Sequence, residues 1–339
     1  MGQGAKVLEL QFGLKTMDNG WKNRGLIVDL KELNELNSTN FQWAQGPQIL
    51  DMGTHFRLYF STRFFDDDSL PVSRVFFLDF APGFEEAIGE IQEVKIQDGA
   101  MGGFDQHGIF PFHPYAVNSK FFLALTCGWK RMENVDIDMS IGQAISLDGK
   151  HFARNGYGPL ITSTPKEPFL VGDPFIFYSD ETYSLFYIFG TKWCDIGSNS
   201  ERTYKIGKMI SKDGFEFNRV ESGKQIIPDS IENEAQAMPS VVKIKDTYHM
   251  FYCYRSSFDF RRGGENSYRL GHAKSKDLEI WKICHSELPS RFPIWAQDMQ
   301  CYPHVTVIDN ELYLFYNGNG FGKNGIGLMT RKIEAFDVT

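Results

Sequence analysis

The chain has 339 residues, with 42% hydrophobic and 15% aromatic content, and a formal net charge of -8. That much Phe and Tyr favours strands and can fill a large core. The acidic balance, with no basic cluster longer than the pairs Lys130-Arg131 and Arg261-Arg262, excludes a surface built to grip nucleic acid.

In chain order, Met1 to Leu14 lacks an apolar core followed by a small-residue cleavage site, so no secretion signal is expected. The run KVLELQFG from Lys6 reads as a strand. Five similar units follow. They are GPQILDMGTHFRLYFSTR from Gly46, HPYAVNSKFFLALTCGW from His113, DPFIFYSDETYSLFYIFG from Asp173, MPSVVKIKDTYHMFYCYR from Met238 and YPHVTVIDNELYLFYNGN from Tyr302. Each reads as a hairpin, with apolar strands about a polar turn. Their prolines, Pro47, Pro114, Pro174, Pro239 and Pro303, are 67, 60, 65 and 64 residues apart and suit the first residue of a strand. A third element follows in several units. ISLDGKHFAR from Ile145, ISKDGFEFNR from Ile210 and KSKDLEIWKI from Lys274 each run into an Asp-centred turn and then an aromatic.

Repetition at about 64 residues, with at least three strands per unit, predicts an all-β chain. The expected architecture is one five-bladed β-propeller domain over 1–339 with four-stranded antiparallel blades. Radial repetition of this kind protects sheet edges. The fifth unit lacks sequence for an outer strand after Arg331, and the strand from Lys6 is expected to supply it and close the ring. No window approaches about 18 continuous apolar residues, so no membrane span is expected. The five cysteines show no CxxC spacing. They read as free thiols in a reducing cytoplasm, where the protein is expected to reside.

In such a blade, the start of the first strand and the end of the second lie at the same end of the channel. That face is expected to gather the acids Asp105, Asp173, Glu232, Glu234 and Asp298. It also gathers Arg63, Lys130, Lys192 and Arg255, with Trp43, Trp129 and Trp193. His107, Arg269, Tyr302, His304, Asn317 and Asn319 complete the candidate binding set. Carboxylates for proton transfer, cations for a negative group and aromatics for a sugar ring suit a carbohydrate. The excess of cations points to an acidic or phosphorylated sugar, or to inorganic phosphate as the attacking group. No HExxH or EF-hand spacing occurs and no GxGxxG opens a helix after a strand; the Gly-rich run GNGFGKNG lies between strands and lacks the GKS or GKT ending of a phosphate-binding loop, so neither a metal nor another cofactor is expected.

The repeat, clearest in GDPFIFY and AMPSVVKIKDTYHMFY, resembles the five-bladed propeller glycosidases of families 43, 32, 68 and 130. The C-terminal run CYPHVTVIDNELYLFYNGNGFGKNGIGL resembles uncharacterised bacterial propeller proteins linked to surface-polysaccharide metabolism. The resemblance implies three acids on successive blades. Asp173 is similar to the Asp-Pro acid of that pattern and Glu234 to its general acid, with Asp105 or Asp298 for the remaining role. Trp43-Ala44-Gln45-Gly46-Pro47 departs from the pattern, since it carries no first-blade acid. A glycoside hydrolase or phosphorylase is the reading this implies; the alternative is a glycan-binding propeller without turnover.

Overall fold

A computed structural model describes residues 19–118, 121–196 and 199–336. They form five antiparallel sheets. Blade 1 comprises Gln45–Asp51, Phe56–Phe65, Pro71–Phe80 and Ala87–Glu93. Blade 2 comprises Ile109–Asn118, Phe121–Arg131, Ile137–Ser146 and His151–Arg154, with Lys95–Ile96 added in parallel at its edge. Blade 3 comprises Val171–Ser179, Thr182–Ile196, Asn199–Ser211 and Asn218–Arg219. Blade 4 comprises Glu234–Ile244, Thr247–Ser256, Arg269–Ser275 and Lys282–Ile283. Blade 5 comprises Cys301–Ile308, Glu311–Asn317 and Gly325–Lys332. The first strand of each blade touches that of the next, and blade 5 returns to blade 1, so the sheets form a five-bladed propeller.

The ring is closed as expected by an N-terminal strand, but the segment is Lys22–Asp29, paired antiparallel with Gly325–Lys332. The expected strand from Lys6 lies outside the described residues. In Lys22–Asp29 the apolar residues are confined to the short run Leu26-Ile27-Val28 after Gly25, without strand alternation, yet its backbone ladder is what a fourth strand requires.

The repeated prolines do not start strands. In every blade the register of the first strand slips by one residue, between Gln45 and Gln48, Ile109 and Phe112, Gly172 and Phe175, Ala237 and Ser240, and Cys301 and His304. Each slip is a β-bulge, and its proline occupies the bulge, where a missing N–H breaks no ladder bond. The blade 2 equivalent is therefore Pro111, in the cis Phe110-Pro111 bond, while Pro114 pairs with Ala124 further along. With Pro111 in place, the prolines are 64, 63, 65 and 64 residues apart.

The Asp-centred turns are as regular. Ser146 Oγ accepts from the N–H groups of Asp148 and Gly149, and Asp148 Oδ1 accepts from those of Lys150 and His151. Ser211 with Asp213, and Ser275 with Asp277, repeat the pattern. These turns staple blades together: Tyr59 of blade 1 donates its hydroxyl to Gly149 O, and Tyr115 of blade 2 donates to Gly214 O, both at 2.7 Å. No helix among the described residues is long and apolar enough to cross a membrane.

Between blades 4 and 5 lies a histidine pair. His272 Nδ1 donates to Cys284 O at 2.7 Å, which leaves its Nε2 to accept from His249 Nδ1 at 3.0 Å. Burial, then Lys274, lowers His249 to about 4 despite Glu287; Arg331 and Lys276 add to the lowering. Burial likewise lowers His272 to about 3. Both folded values lie below the ordinary value near 6.5. The neutral rings therefore contribute stability that is complete above about pH 6.5 and is lost as pH falls toward 4. The denaturation midpoint of the parent, taken relative to that of His249→Gln, is expected to hold from pH 8 to 7 and fall between pH 6.5 and 4.5. A parent–variant difference that does not change between pH 7 and 5 contradicts the assignment.

Candidate functional site

The five bulges place five equivalent residues around the channel axis: Gly46, Phe110, Asp173, Met238 and Tyr302. Each precedes its proline. Four of them have positive φ: Gly46 at 63°, Asp173 at 48°, Met238 at 51° and Tyr302 at 55°. That region costs a non-glycine residue about 1 kcal/mol, and the repeated bulge holds it. A Cβ on Gly46 would meet Phe110 Cε2 at 2.9 Å and Met238 Cε at 3.0 Å. The Phe110 and Tyr302 rings lie 5.2 Å apart. These side chains form the channel floor, and Asp173 is the one acid among the five positions.

Several backbone groups freed by the bulges are taken by an adjacent blade. Gly46 N–H donates to Asn317 Oδ1 at 2.9 Å, Tyr302 N–H to Cys253 Sγ at 3.4 Å and Met238 N–H to Asp173 Oδ2 at 3.1 Å. Asp173 therefore ties its own blade to the next. Burial pushes its carboxyl up to about 7, while the Met238 N–H and Arg202 draw it down. A carboxyl near 7 is half protonated at neutral pH and can serve as a general acid.

The mouth above this floor carries three guanidinium groups. Arg63, at the end of the second strand of blade 1, lies 5.8 Å from the Trp43 ring. Its Nε is buried without a partner among the described residues. Burial lowers its pKa; Tyr302 opposes this, while Arg261 and Arg202 reinforce it. Arg202 stands on the long hairpin of blade 3, 5.9 Å from the Trp193 ring and 3.7 Å from Asp136 of blade 2. Arg261, from the loop of blade 4, donates to Glu201 Oε1 at 2.8 Å. Three arginines thus face two carboxylates, leaving a local excess of positive charge that suits an anion.

Of the residues expected here, Asp173, Arg63 and Tyr302 meet at the channel. Arg255 lies beneath it, 1% exposed. It donates to Arg202 O, Ser256 O and the hydroxyls of Tyr204 and Tyr268, so it props the hairpin that carries Arg202. His304 is buried deeper, and its Nε2 accepts from Ile49 N–H at 3.2 Å.

The others are placed differently from the expectation. Glu234 stands four residues before Met238, and Met238 rather than Glu234 holds the position equivalent to Asp173. Glu234 Oε1 accepts from Gln236, and Oε2 from the Ser230 and Ile231 N–H groups, so its carboxylate organises a turn. The nearby Glu232 is exposed. Asp105 faces away from the axis and pairs with Arg154 of the outermost strand. Asp298 is exposed; its N–H donates to Asn319 Oδ1 and its carbonyl accepts from Arg269. Asn319 thus holds a loop, and Asn317 bonds Ala44 O, Gly325 O and Gly46 N–H. Trp129 is buried and donates to Ser73 Oγ at 3.1 Å, while His107 Nδ1 accepts from Arg131 N–H. Lys130 pairs at 3.7 Å with Asp138, and Lys192 donates at 3.4 Å to Asn233. Sequence reasoning missed Arg202 because it followed only first-strand starts and second-strand ends. The start of the third strand returns to the same face.

No known family profile matches the chain. An uncharacterized protein of Mycobacterium tuberculosis is 26% identical over 302 residues, covering 86% of this chain and 94% of that protein. Among solved structures, a glycoside hydrolase has a TM-score of 0.66 at 14% identity and covers 90% of this chain and 96% of that one. A structure from the GH130 family of mannoside phosphorylases, described as containing glycoside hydrolases that target beta-1,2 mannosidic linkages in Candida mannan, has a TM-score of 0.58. It is 11% identical and covers 85% of this chain and 84% of that one. The chain shares the five-bladed fold of these glycoside-active proteins.

Proposed function

We propose that the channel mouth is a glycoside site in which Asp173 is the sole protein acid and a phosphate anion replaces the second carboxylate. One observation carries this reading. The floor offers a single carboxyl, raised to about 7, beneath three arginines that outnumber their acidic partners. Hydrolysis by two carboxylates requires a second one flanking the bond; Gly46, Phe110, Met238 and Tyr302 do not supply it, and the two carboxylates of the mouth, Glu201 and Asp136, are engaged by Arg261 and Arg202. Phosphate is already an anion at neutral pH and needs no base to activate it. Arginine binds it in bidentate fashion.

In the step that follows, HPO4²⁻ attacks the anomeric carbon from the face opposite the glycosidic oxygen. The carbon–oxygen bond to the leaving group breaks as the Asp173 carboxyl passes its proton to that oxygen. The proton left on the new phosphate monoester returns Asp173 to its acid form. The products are a glycosyl phosphate of inverted configuration and a free alcohol. That the GH130 family includes both phosphorylases and hydrolases supports placing such chemistry on this fold.

The test is sugar release from an oligosaccharide panel with and without inorganic phosphate. Release is expected only with phosphate, and Arg202→Ala is expected to raise the KM for phosphate about tenfold, a loss of about 1.4 kcal/mol. Equal release without phosphate would assign the attack to water. A second reading, binding without turnover, is favoured by the apolar Met238 and by Gly46, whose space Phe110 and Met238 occupy. It predicts sugar binding and no release under either condition.

A further inference from the structure

Asp105 and Arg154 form a buried ion pair that the channel chemistry does not use. They belong to a groove at the periphery of blades 1 and 2. Lys95–Ile96 pairs in parallel with His151–Phe152, so the segments that follow these strands, 97–108 and 155–157, leave the sheet edge on the same side. Residues 97–108 lead to the start of the first strand of blade 2, which lies on the mouth face. The groove therefore opens on the same face as the channel.

The Arg154 side chain is 10% exposed. Its Nε donates to Gln97 O at 2.8 Å and its Nη1 to Asp105 Oδ2. Its Nη2 has no partner among the described residues, while Arg154 lines the groove. The loop closes tightly on Asp105: a Cβ on Gly99 would lie 2.2 Å from Asp105 O. An open hollow of about 260 Å³ is lined by Gln97, Phe152, Ala153, Arg154, Gly156 and Tyr157. Tyr157 is 73% exposed. A second hollow adjoins through Gln97 and Arg154 and adds Asp98 and Glu93.

We infer that this groove is a distal glycan subsite, which makes the ligand of this protein a polysaccharide rather than a short glycoside. The inference rests on reading the mouth as a glycoside site. A pyranose ring has one C–H face that stacks on an exposed aromatic, and hydroxyls at its edge. Tyr157 supplies the platform. Arg154, fixed by Asp105 and the Gln97 carbonyl, presents Nη2 as a donor to a hydroxyl or carboxylate. Asp98 accepts from a further hydroxyl, while Glu93 is held by Arg74 and Lys95. Asp105 is accordingly a positioning residue for Arg154. Holding the donor rigid in advance reduces the ordering cost of binding.

Affinity electrophoresis through gels containing a neutral β-glucan, a mannan or a polyuronate tests this directly. Tyr157→Ala is the informative variant, because its ring is exposed and its removal leaves the core intact. At least one polysaccharide is expected to retard the parent chain. Tyr157→Ala should weaken that retardation at least fivefold and Tyr157→Phe should preserve it. Turnover of short glycosides should be the same in Tyr157→Ala and the parent. Parent mobility unchanged in all three gels, or equal retardation of Tyr157→Ala, overturns the subsite. If retardation depends on Tyr157 while neither the parent nor Asp173→Asn turns over any glycoside, the groove stands and the mouth reading falls. If short glycosides are turned over without Tyr157-dependent retardation, the mouth stands and the groove falls.

Discussion

Asp173→Asn is expected to lower kcat about a thousandfold on glycosides with poor leaving groups while leaving the fold intact. General acids contribute between about 10² and 10⁴ in rate. The variant keeps a side-chain oxygen that can accept the Met238 N–H, so the bond between blades 3 and 4 survives. What it loses is the transferable proton. A nitrophenyl leaving group needs no protonation, so on that substrate the loss should shrink to about tenfold or less. The pH dependence has a definite sign. The active form is the protonated one, and burial holds its pKa near 7. At a constant concentration of HPO4²⁻, activity should be level below about pH 6 and fall about tenfold per unit above pH 8. Equal losses on both kinds of leaving group would remove Asp173 from the role of acid.

The second large effect concerns stability. Glu287 sits between blades 4 and 5, next to the strand that closes the ring. Its Oε1 accepts from Lys274 at 2.9 Å and its Oε2 from Arg331 at 2.6 Å. Its carbonyl accepts from the buried Trp21 indole and again from Arg331. Side-chain exposure is 6% for both Glu287 and Arg331. Glu287→Ala removes the anion and leaves two cations in a dry interface, which is expected to cost about 3–5 kcal/mol. Glu334→Ala, at an exposed carboxylate just after the last strand of blade 5, should change stability by about 0.5 kcal/mol or less. Urea unfolding of the two variants checks this. A loss under about 1 kcal/mol for Glu287→Ala would mean that water or local rearrangement compensates the two cations.

The five-fold architecture was legible because one backbone device recurs. A bulge tolerates proline where a ladder does not, so Pro47, Pro174, Pro239 and Pro303 marked the blades. Blade 2 carries both Pro111 and Pro114, and pattern alone selected the wrong one; only the register slip between Ile109 and Phe112 identifies Pro111. The same device explains the site. Asp173 was legible because it directly precedes a bulge proline. Glu234 looked comparable because its unit also contains a carboxylate, but it stands five residues before Pro239. The bulge turns Met238 toward the axis instead. Asp105 and Trp129 show a related limit. Proximity to a strand end fixed their height in the propeller, but side-chain alternation sent Trp129 between blades 1 and 2, and the loop before the first strand of blade 2 turned Asp105 onto Arg154. Arg202 became visible only once the blade 3 hairpin was known to extend over the mouth, propped by Arg255 from below.

The most direct test of a single-acid site with an anionic attacking group is phosphorus NMR. The parent chain and Asp173→Asn would be incubated with oligosaccharides and inorganic phosphate at pH 6.5. A new phosphate-monoester resonance that grows with the parent and is absent with Asp173→Asn is the expected result. An unchanged phosphate signal in the parent, alongside free reducing sugar or alongside binding alone, would contradict the account.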